Sequence, residues 1–250
     1  MSIVLLCLGI GLVSFVLTMV GLGGGLIFSP LFILLGFPLS TALSASLFLN
    51  GTAAVSAAIT FFRKKMVDVK IGLPLLITSC LFAPLGAMIS NRINMRLFII
   101  MLTLVILIAA ARMLFSKKAE EARIEIGNAR RILGGGAIGV VIGFMAGLFG
   151  IGGGVFVLPL LIYMLKVPTK TAAATSIFIV IFSSFSGFIA HLSLADIDWK
   201  FVLLAALFSI IGGQAGSMVM AEKLKGPTVR RIFGVILILF ALKLVQKGFF

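Results

Sequence analysis

Residues 21–25 read Gly-Leu-Gly-Gly-Gly and decide the fold, because four glycines in five residues break the backbone within strongly apolar sequence. Residues 150–154 repeat the pattern as Gly-Ile-Gly-Gly-Gly, and a proline, Pro30 or Pro159, follows five residues after each stretch. Membranes tolerate non-helical backbone only where protein or a water-filled cavity covers it. Paired glycine-interrupted segments at matching positions in two halves are the best sequence indication of a transporter's binding site. The two stretches therefore predict two broken helices beside a common site.

The composition is that of an integral membrane protein. The 250 residues are 61% hydrophobic and only 11% charged, whereas a soluble domain is roughly half apolar and about a quarter charged. The apolar runs are longer than the alternating segments of about 10 residues found in membrane barrels, so an all-α fold is expected. The net charge of +14 is assigned to cytoplasmic helix ends facing anionic lipid, and no nucleic-acid partner is expected.

Hydrophobic segments occur in two sets of five, which predicts two homologous helical repeats. A charged linker, residues 116–131, separates an N-terminal repeat, 1–115, from a C-terminal repeat, 132–250. The segments are 3–20, 26–36, 41–62, 71–90 and 97–115, followed by 132–149, 155–165, 169–192, 200–219 and 228–248. Segments 26–36 and 155–165 directly follow the glycine stretches and are shorter than the roughly 20 residues that a membrane span needs. Further matches between the repeats are Pro38 with Pro168, Ser46 with Ser176, Phe48 with Phe178, and Gly86 with Gly216.

The distribution of basic residues favours an inverted relation between the repeats. If both short segments cross the membrane, each repeat has five crossings, and the second repeat is upside down with both termini outside. Sixteen of the 21 Lys and Arg residues then lie on the cytoplasmic side, in 63–70, 112–131, 166–170 and 221–231, as the positive-inside rule requires. If the short segments instead dip in and return, the repeats are parallel and the charge split is weaker; Arg92 and Arg96 count against inversion.

The glycine stretches are the first candidate site. Each is expected to end one helix and to expose the N-terminus of the next, where unpaired N–H groups and the helix dipole attract an anion without any charged side chain. The alternative is tight helix packing through small residues. No nucleotide-binding loop is expected, because no Lys-Ser or Lys-Thr follows the glycines. The predicted substrate-binding residues are Gly21, Gly23, Gly24, Gly25, Gly150, Gly152, Gly153, Gly154, Ser46 and Ser176.

Hydroxyl and amide side chains could add ligands for an oxyanion. Ser46 and Ser176 are chosen because they match across the repeats and follow the short segments closely. The remaining candidates, which equally well bond to their own or a neighbouring helix, are Thr41, Ser44, Asn50, Thr52, Thr171, Thr175, Ser183 and Ser184.

Ionisable residues within the segments are scarce. No Asp or Glu lies mid-segment, so a carboxylate relay or a carboxylate cation site is hard to build. His191 ends the segment 169–192 and is expected to be solvated near the outer interface, while Gln214 interrupts 200–219. With one histidine and no paired acids, no catalytic residue, metal site or cofactor is predicted, and the protein is not expected to be an enzyme.

The doubled glycine motif with its proline resembles the sulfite exporter TauE/SafE family of membrane transporters over essentially the whole chain. The positions carried over are the two glycine stretches with Pro30 and Pro159. The resemblance implies transport of small sulfur oxyanions or organosulfonates, such as sulfite or sulfoacetate, across the bacterial inner membrane. The expected partners are the small anionic substrate and the lipid bilayer.

The expected mechanism is alternating access around a midplane anion site. Export is favoured over import because an inside-negative potential drives anions outward and no coupling-ion site is evident. An anion channel, an importer of a related anion and a non-transporting scaffold or sensor stay open as alternatives, as does assembly into a homo-oligomer.

Overall fold

The computed structural model describes residues 3–90, 92–115, 128–192 and 195–248, and every regular element in these ranges is an α-helix. The helices are α1 (Ile3–Thr18), α2 (Gly25–Leu34), α3 (Leu39–Arg63), α4 (Val69–Ser90), α5 (Met95–Phe115), α6 (Asn128–Phe149), α7 (Gly154–Tyr163), α8 (Thr169–Leu192), α9 (Trp199–Glu222) and α10 (Gly226–Gly248). The predicted all-α fold and the ten segments are confirmed. The predicted linker, residues 116–131, lies mostly outside the described residues. Its last four residues belong to α6, which begins at Asn128.

The glycine-broken short helices are confirmed. Helices α2 and α7 each contain only 10 residues, and each begins at the last glycine of its stretch. Both contain a proline, at Pro30 and Pro159. Neither is long enough to cross a bilayer core of about 30 Å at 1.5 Å per residue.

The surface and the helix lengths agree with a multi-pass membrane protein. Within the described residues, α3, α4, α8 and α9 are long and apolar enough to span a membrane. Large apolar side chains are exposed along several helices, and the most exposed include Leu12, Leu81, Ile108, Ile189 and Ile211. In water such a surface would aggregate, whereas lipid tails cover it at no cost.

Helix pairs occur in matched sets. Exchanging the two sets of five helices turns the pair α1–α9 into α6–α4, α3–α9 into α8–α4, and α2–α3 into α7–α8, and each of these pairs is in contact. The pairs α3–α8 and α5–α10 are also in contact and map onto themselves. Helices of the two halves are therefore interleaved, and each of the two hydrophobic clusters contains residues of both halves.

Glycines let the backbones approach closely in the pairs α4–α6 and α1–α9. A Cβ on Gly139, Gly143 or Gly147 of α6 would overlap the backbone of α4 at Leu75, Ser79 or Ala83. Gly212 and Gly216 of α9 lie in the same way against the backbone of α1. Lipid tails are as apolar as the helices, so no hydrophobic driving force joins helices in a membrane. They associate instead through close van der Waals packing of small residues. These glycines have a packing role.

Polar contacts join one end of α3, α8 and α9. Lys64 forms a salt bridge of 3.0 Å with Glu222, and the ammonium of Lys170 donates to the carbonyl of Ala221 at 2.8 Å. The hydroxyl of Thr175 accepts from the backbone N–H of Asp68 at 3.0 Å. The end of α3, the start of α8 and the end of α9 therefore lie at the same end of the helix bundle.

Candidate anion site between two glycine turns

Residues 21–25 and 150–154, hereafter the first and second glycine turns, adopt backbone conformations that suit glycine. The φ angles are +83° at Gly21 and +74° at Gly23 in the first turn. In the second turn Gly152 has a φ of +68° and Gly153 one of +79°. Left-handed backbone costs a residue with a side chain roughly 1–2 kcal/mol. These turns separate α1 from α2 and α6 from α7, and their residues are buried.

The two turns are in direct contact. A Cβ on Gly25 would lie 2.6 Å from the carbonyl oxygen of Ile151, and a Cβ on Gly154 would lie 2.5 Å from that of Leu22. Each turn therefore places a glycine against the backbone of the other. The glycines predicted as site residues are brought together from the two ends of the sequence.

Each turn also packs on the long helix of the other half. A Cβ on Gly21 would lie 2.6 Å from the Cβ of Ala173 in α8, and one on Gly150 would lie 2.6 Å from Leu43 in α3. Positions 43 and 173 are matched, since both lie three residues before the matched serines. The site is therefore built at the boundary between the halves, and one half alone could not form it.

Asn50 of α3 fills the space between the turns. A Cβ on Gly23 would overlap its Oδ1, and a Cβ on Gly152 would overlap its Nδ2. Because each glycine presents only hydrogen on that side, the carboxamide fits between two backbone segments. Asn50 is completely buried.

All polar atoms of the Asn50 side chain are paired. Oδ1 accepts from the backbone N–H of Gly24 at 2.5 Å and from that of Gly25 at 2.9 Å. Nδ2 donates to the Ser184 hydroxyl at 2.9 Å and to the carbonyl of Ile151 at 3.4 Å. One carboxamide therefore holds the start of α2, the second glycine turn and α8 together.

This pairing corrects the expectation of unpaired N–H groups at both short helices. At α2, the N–H groups of Gly24 and Gly25 donate to Asn50, so they cannot donate to an anion in this conformation. At α7, the N–H groups of Gly153, Gly154 and Val155 have no acceptor within the described residues. The matched position to Asn50 is Val180, which has no oxygen to offer. The two helix starts therefore differ in hydrogen bonding, and also in backbone conformation, since φ is −110° at Gly24 and +79° at Gly153.

The two predicted serines differ in the same manner. The Ser46 hydroxyl donates to the carbonyl of Gly150 at 2.9 Å and lies 3.3 Å from that of Gly25. The Ser176 hydroxyl is buried and has no hydrogen-bond partner in the described part of the chain. Ser176 shares a face of α8 with Ala173 and Val180, at three and four residues' distance. Since those neighbours lie against Gly21 and Gly23, Ser176 faces the first turn.

Three further polar residues that had not been chosen as site residues contact the turns. Ser183 donates to the carbonyl of Gly152 at 2.9 Å, Ser184 accepts from Asn50, and Ser29 lies 3.3 Å from the carbonyl of Gly25. The sequence signal for Asn50 is that it is the single amide side chain of α3, with a valine at its matched position. Ser29 carries no comparable signal.

His191 and Gln214 lie in other surroundings. The prediction of a solvated His191 is wrong, because the ring is buried and its Nε2 lies 3.1 Å from the carbonyl of Gly147 in α6. Gln214 of α9 pairs with Ser56 and Thr60 of α3. Within the described residues no group of three or more His, Cys, Asp or Glu side chains is placed to hold a metal ion.

The helical fold and the apolar surface define a multi-pass membrane protein. The family model for the sulfite exporter TauE/SafE matches residues 6–244, and the chain belongs to this family.

Relatives in other organisms carry transporter names. The chain is 28% identical to the probable membrane transporter protein YunE of Bacillus subtilis, over 93% of each chain. It is 31% identical to a probable membrane transporter protein of Haemophilus influenzae, over 94% of this chain and 90% of the other. A Xylella fastidiosa relative with the same description is 25% identical over 95% and 93%. No solved structure matches the chain.

Proposed function

We propose that this protein exports small sulfur oxyanions or organosulfonates, such as sulfite or sulfoacetate, across the bacterial inner membrane. Transport proceeds without chemical conversion, by alternating access around an anion site at the two glycine turns. The observation that carries the proposal is the contact between the turns, which brings two helix N-termini to one buried place between the halves. Membership of the sulfite exporter family supports the substrate class.

The electrostatics of the site suit an anion. Helix N-termini present N–H groups and the positive end of a dipole. The start of α7 contributes both attractions without a charged side chain, whereas at the start of α2 two of the N–H groups donate to Asn50 in this conformation. At α7 three buried N–H groups have no acceptor among the described residues and can donate to an anion. The Ser176 hydroxyl on the facing helix has no partner there and can donate to an oxyanion.

The membrane potential favours export over uptake. An inside-negative potential drives each negative charge outward by about 2.3 kcal/mol per 100 mV. A doubly charged anion gains twice as much, so a uniporter would keep its cytoplasmic concentration low. Uptake would need a coupling ion, and the sequence has no acidic residue in the middle of a predicted segment to bind one.

Flux measurements test the proposal. The protein would be reconstituted into liposomes with radiolabelled sulfite, with and without an imposed potential. We expect saturable flux that the potential accelerates in the direction of anion export. Non-saturating currents would identify an anion channel, and accumulation that depends on a second ion would identify an importer. If neither sulfite nor sulfoacetate moves, the proposed substrate class is wrong.

Bulky substitutions locate the site. Gly24→Leu would force a side chain into the ring of Phe28. Gly153→Leu would place its Cβ 2.8 Å from the Cγ2 of Ile142, at a position whose backbone has a left-handed φ. Both should abolish flux in protein that is still inserted in the membrane and monodisperse in detergent. Gly9→Leu is the matched control, because no atom lies within 4 Å of its Cβ position. Undiminished flux in the two turn variants would move the site elsewhere.

A further inference from the structure

We propose that Asn50 is an internal competitor for the transported anion at the start of α2; this inference rests on the proposed function. Its Oδ1 accepts from two successive backbone N–H groups, those of Gly24 and Gly25, at 2.5 and 2.9 Å. An oxygen of an oxyanion bound at a helix N-terminus uses the same donors. The carboxamide oxygen therefore occupies a position that a substrate oxygen would take.

The other half of the carboxamide sets its orientation. Nδ2 donates to Ser184 at 2.9 Å and to the carbonyl of Ile151 at 3.4 Å, and both partners lie in the second half of the chain. These bonds aim Oδ1 at the start of α2. They also make the competitor sensitive to the relative position of the halves, because a movement of α8 or of the second turn breaks them.

The repeat shows that a packed fold does not require an amide at this position. Val180 is the matched residue in α8 and lies against Gly23. A Cβ on Gly23 would be 3.5 Å from the Cγ1 of Val180. The start of α7 consequently has three N–H groups without an acceptor in the described part of the chain. One short helix is thus occupied by the protein itself and the other is left to a ligand.

Competition of this kind lowers affinity and speeds release. The anion binds the start of α2 only in the fraction of molecules in which Oδ1 has left, so the apparent dissociation constant rises by the inverse of that fraction. When Asn50 returns, the anion loses these donors and leaves. A weakly held anion suits a carrier that must release its substrate in each cycle.

Two substitutions at Asn50 have opposite expected effects in the liposome assay with radiolabelled sulfite. Asn50→Val copies the matched residue and removes the competing oxygen, so the KM for sulfite should fall by about tenfold, the effect of roughly one net hydrogen bond. Asn50→Asp nearly preserves the shape and places a carboxylate on the two N–H groups, where Ser184 can donate to its second oxygen. This variant should lose flux while its Tm equals or exceeds that of the wild type, because the tethered anion stabilises the helix N-terminus.

A repeat-based swap and a neutral control complete the set. Asn50→Val combined with Val180→Asn moves the amide to α8, where position 180 lies against Gly23 of the first turn; an amide oxygen is again beside the start of α2, and the KM should return toward the wild-type value. Thr103→Val is the control, because within the described residues the hydroxyl of Thr103 in α5 donates to the carbonyl of Ile99 in its own helix and to no other group. A purely structural role for Asn50 would instead lower the Tm of both single variants and leave KM unchanged.

The outcomes separate the inference from the proposed function. If wild-type protein transports sulfite and Asn50→Val leaves the KM unchanged or raises it, or Asn50→Asp transports normally, the inference is overturned and the function stands. If wild-type protein moves no sulfite, the thermal shift produced by sulfite, sulfate, thiosulfate and sulfoacetate is compared between wild type and Asn50→Val. A larger shift in the variant supports the competitor and rejects sulfite as substrate; no larger shift with any of the four rejects the competitor.

Discussion

The hydroxyl of Ser46 donates to the carbonyl oxygen of Gly150 at 2.9 Å, across 104 positions of the sequence. This bond fixes α3 of the first half on the glycine turn of the second. Its repeat counterpart, Ser176, is equally buried and makes no hydrogen bond within the described residues. Two serines in matched places therefore differ in hydrogen bonding: Ser46 binds backbone, and Ser176 is the one for which we propose a ligand contact.

Alanine substitutions should separate these roles. Ser46→Ala leaves the buried Gly150 carbonyl without its donor, so we expect a loss of about 1–3 kcal/mol in stability. Ser176→Ala removes an unpaired hydroxyl and should leave the Tm in detergent nearly unchanged while raising the KM for sulfite. Thermal unfolding and liposome flux of the two variants test this. Equal effects on Tm, or an unchanged KM in Ser176→Ala, would contradict the assignment.

The left-handed glycines beside Asn50 should not accept a methyl group. Gly23→Ala and Gly152→Ala combine a backbone strain of roughly 1–2 kcal/mol with overlap of the new Cβ and the carboxamide. We expect loss of flux and a clear fall in Tm. Gly36→Ala is the matched control, because Gly36 has a φ of +87° but no atom within 4 Å of its Cβ position. It should show the strain alone and retain flux; loss of flux there would mean that strain, and not the collision with Asn50, decides the outcome.

The glycines between α4 and α6 should be required for folding and not for binding. Gly143→Val would place its Cβ 2.7 Å from the carbonyl carbon of Ser79 and force the helices apart. We expect aggregated protein in size-exclusion chromatography. Gly136→Ala, on the same helix, meets its nearest atom, in Thr78, at 3.8 Å and should be tolerated or gain up to about 1 kcal/mol from helix propensity. Monodisperse Gly143→Val protein would show that this interface is looser than the contacts imply.

The inverted arrangement of the repeats stays a prediction. It requires that α2 and α7, each too short to cross alone, complete a crossing together with the chain beside them, and the contacts at one end of the bundle favour it. The salt bridge between Lys64 and Glu222 and the bond from Lys170 to Ala221 join loops that lie on one side in the inverted arrangement. The parallel arrangement would place the loop 63–70 on the opposite side of the membrane from 166–170 and 221–231.

Cysteine labelling in intact cells tests this topology. In a variant with Cys7→Ala and Cys80→Ala, single cysteines would be introduced as Lys65→Cys, Lys166→Cys and Asp196→Cys, at exposed positions. Inversion predicts that a membrane-impermeant maleimide labels only the Asp196→Cys protein. If the maleimide labels the Lys65→Cys and Asp196→Cys proteins but not the Lys166→Cys protein, or labels only the Lys166→Cys protein, the repeats are parallel.

The number and order of the helices could be predicted from the sequence. Long apolar runs form helices in lipid because every backbone group must be paired within the segment, and the predicted boundaries agree with those of the structure to within four residues. The two short helices were equally predictable, because left-handed backbone at Gly23 or Gly152 is a local preference of glycine. These features depend on neighbours along the chain.

The hydrogen bonding of the site could not be predicted in this way. A buried Asn or Ser can bond to its own helix, to a neighbouring helix or to a ligand, and helical periodicity does not distinguish them. Asn50 was one of several polar candidates, and its partners Gly24 and Ser184 follow from how α3 crosses the two turns. The wrong prediction for His191 has the same origin, since α6 covers a helix end that would otherwise be solvated.

The sequence by itself determined a helical membrane protein with two short helices, each preceded by a glycine turn, because apolar length and glycine content act locally. Only the tertiary structure decided that each turn packs on the long helix of the other half and that Asn50 closes one of the two helix starts. The physical reason is that residues more than 100 positions apart come into contact only where their helices cross. The distance between the helices at each crossing decides which polar groups can form a hydrogen bond.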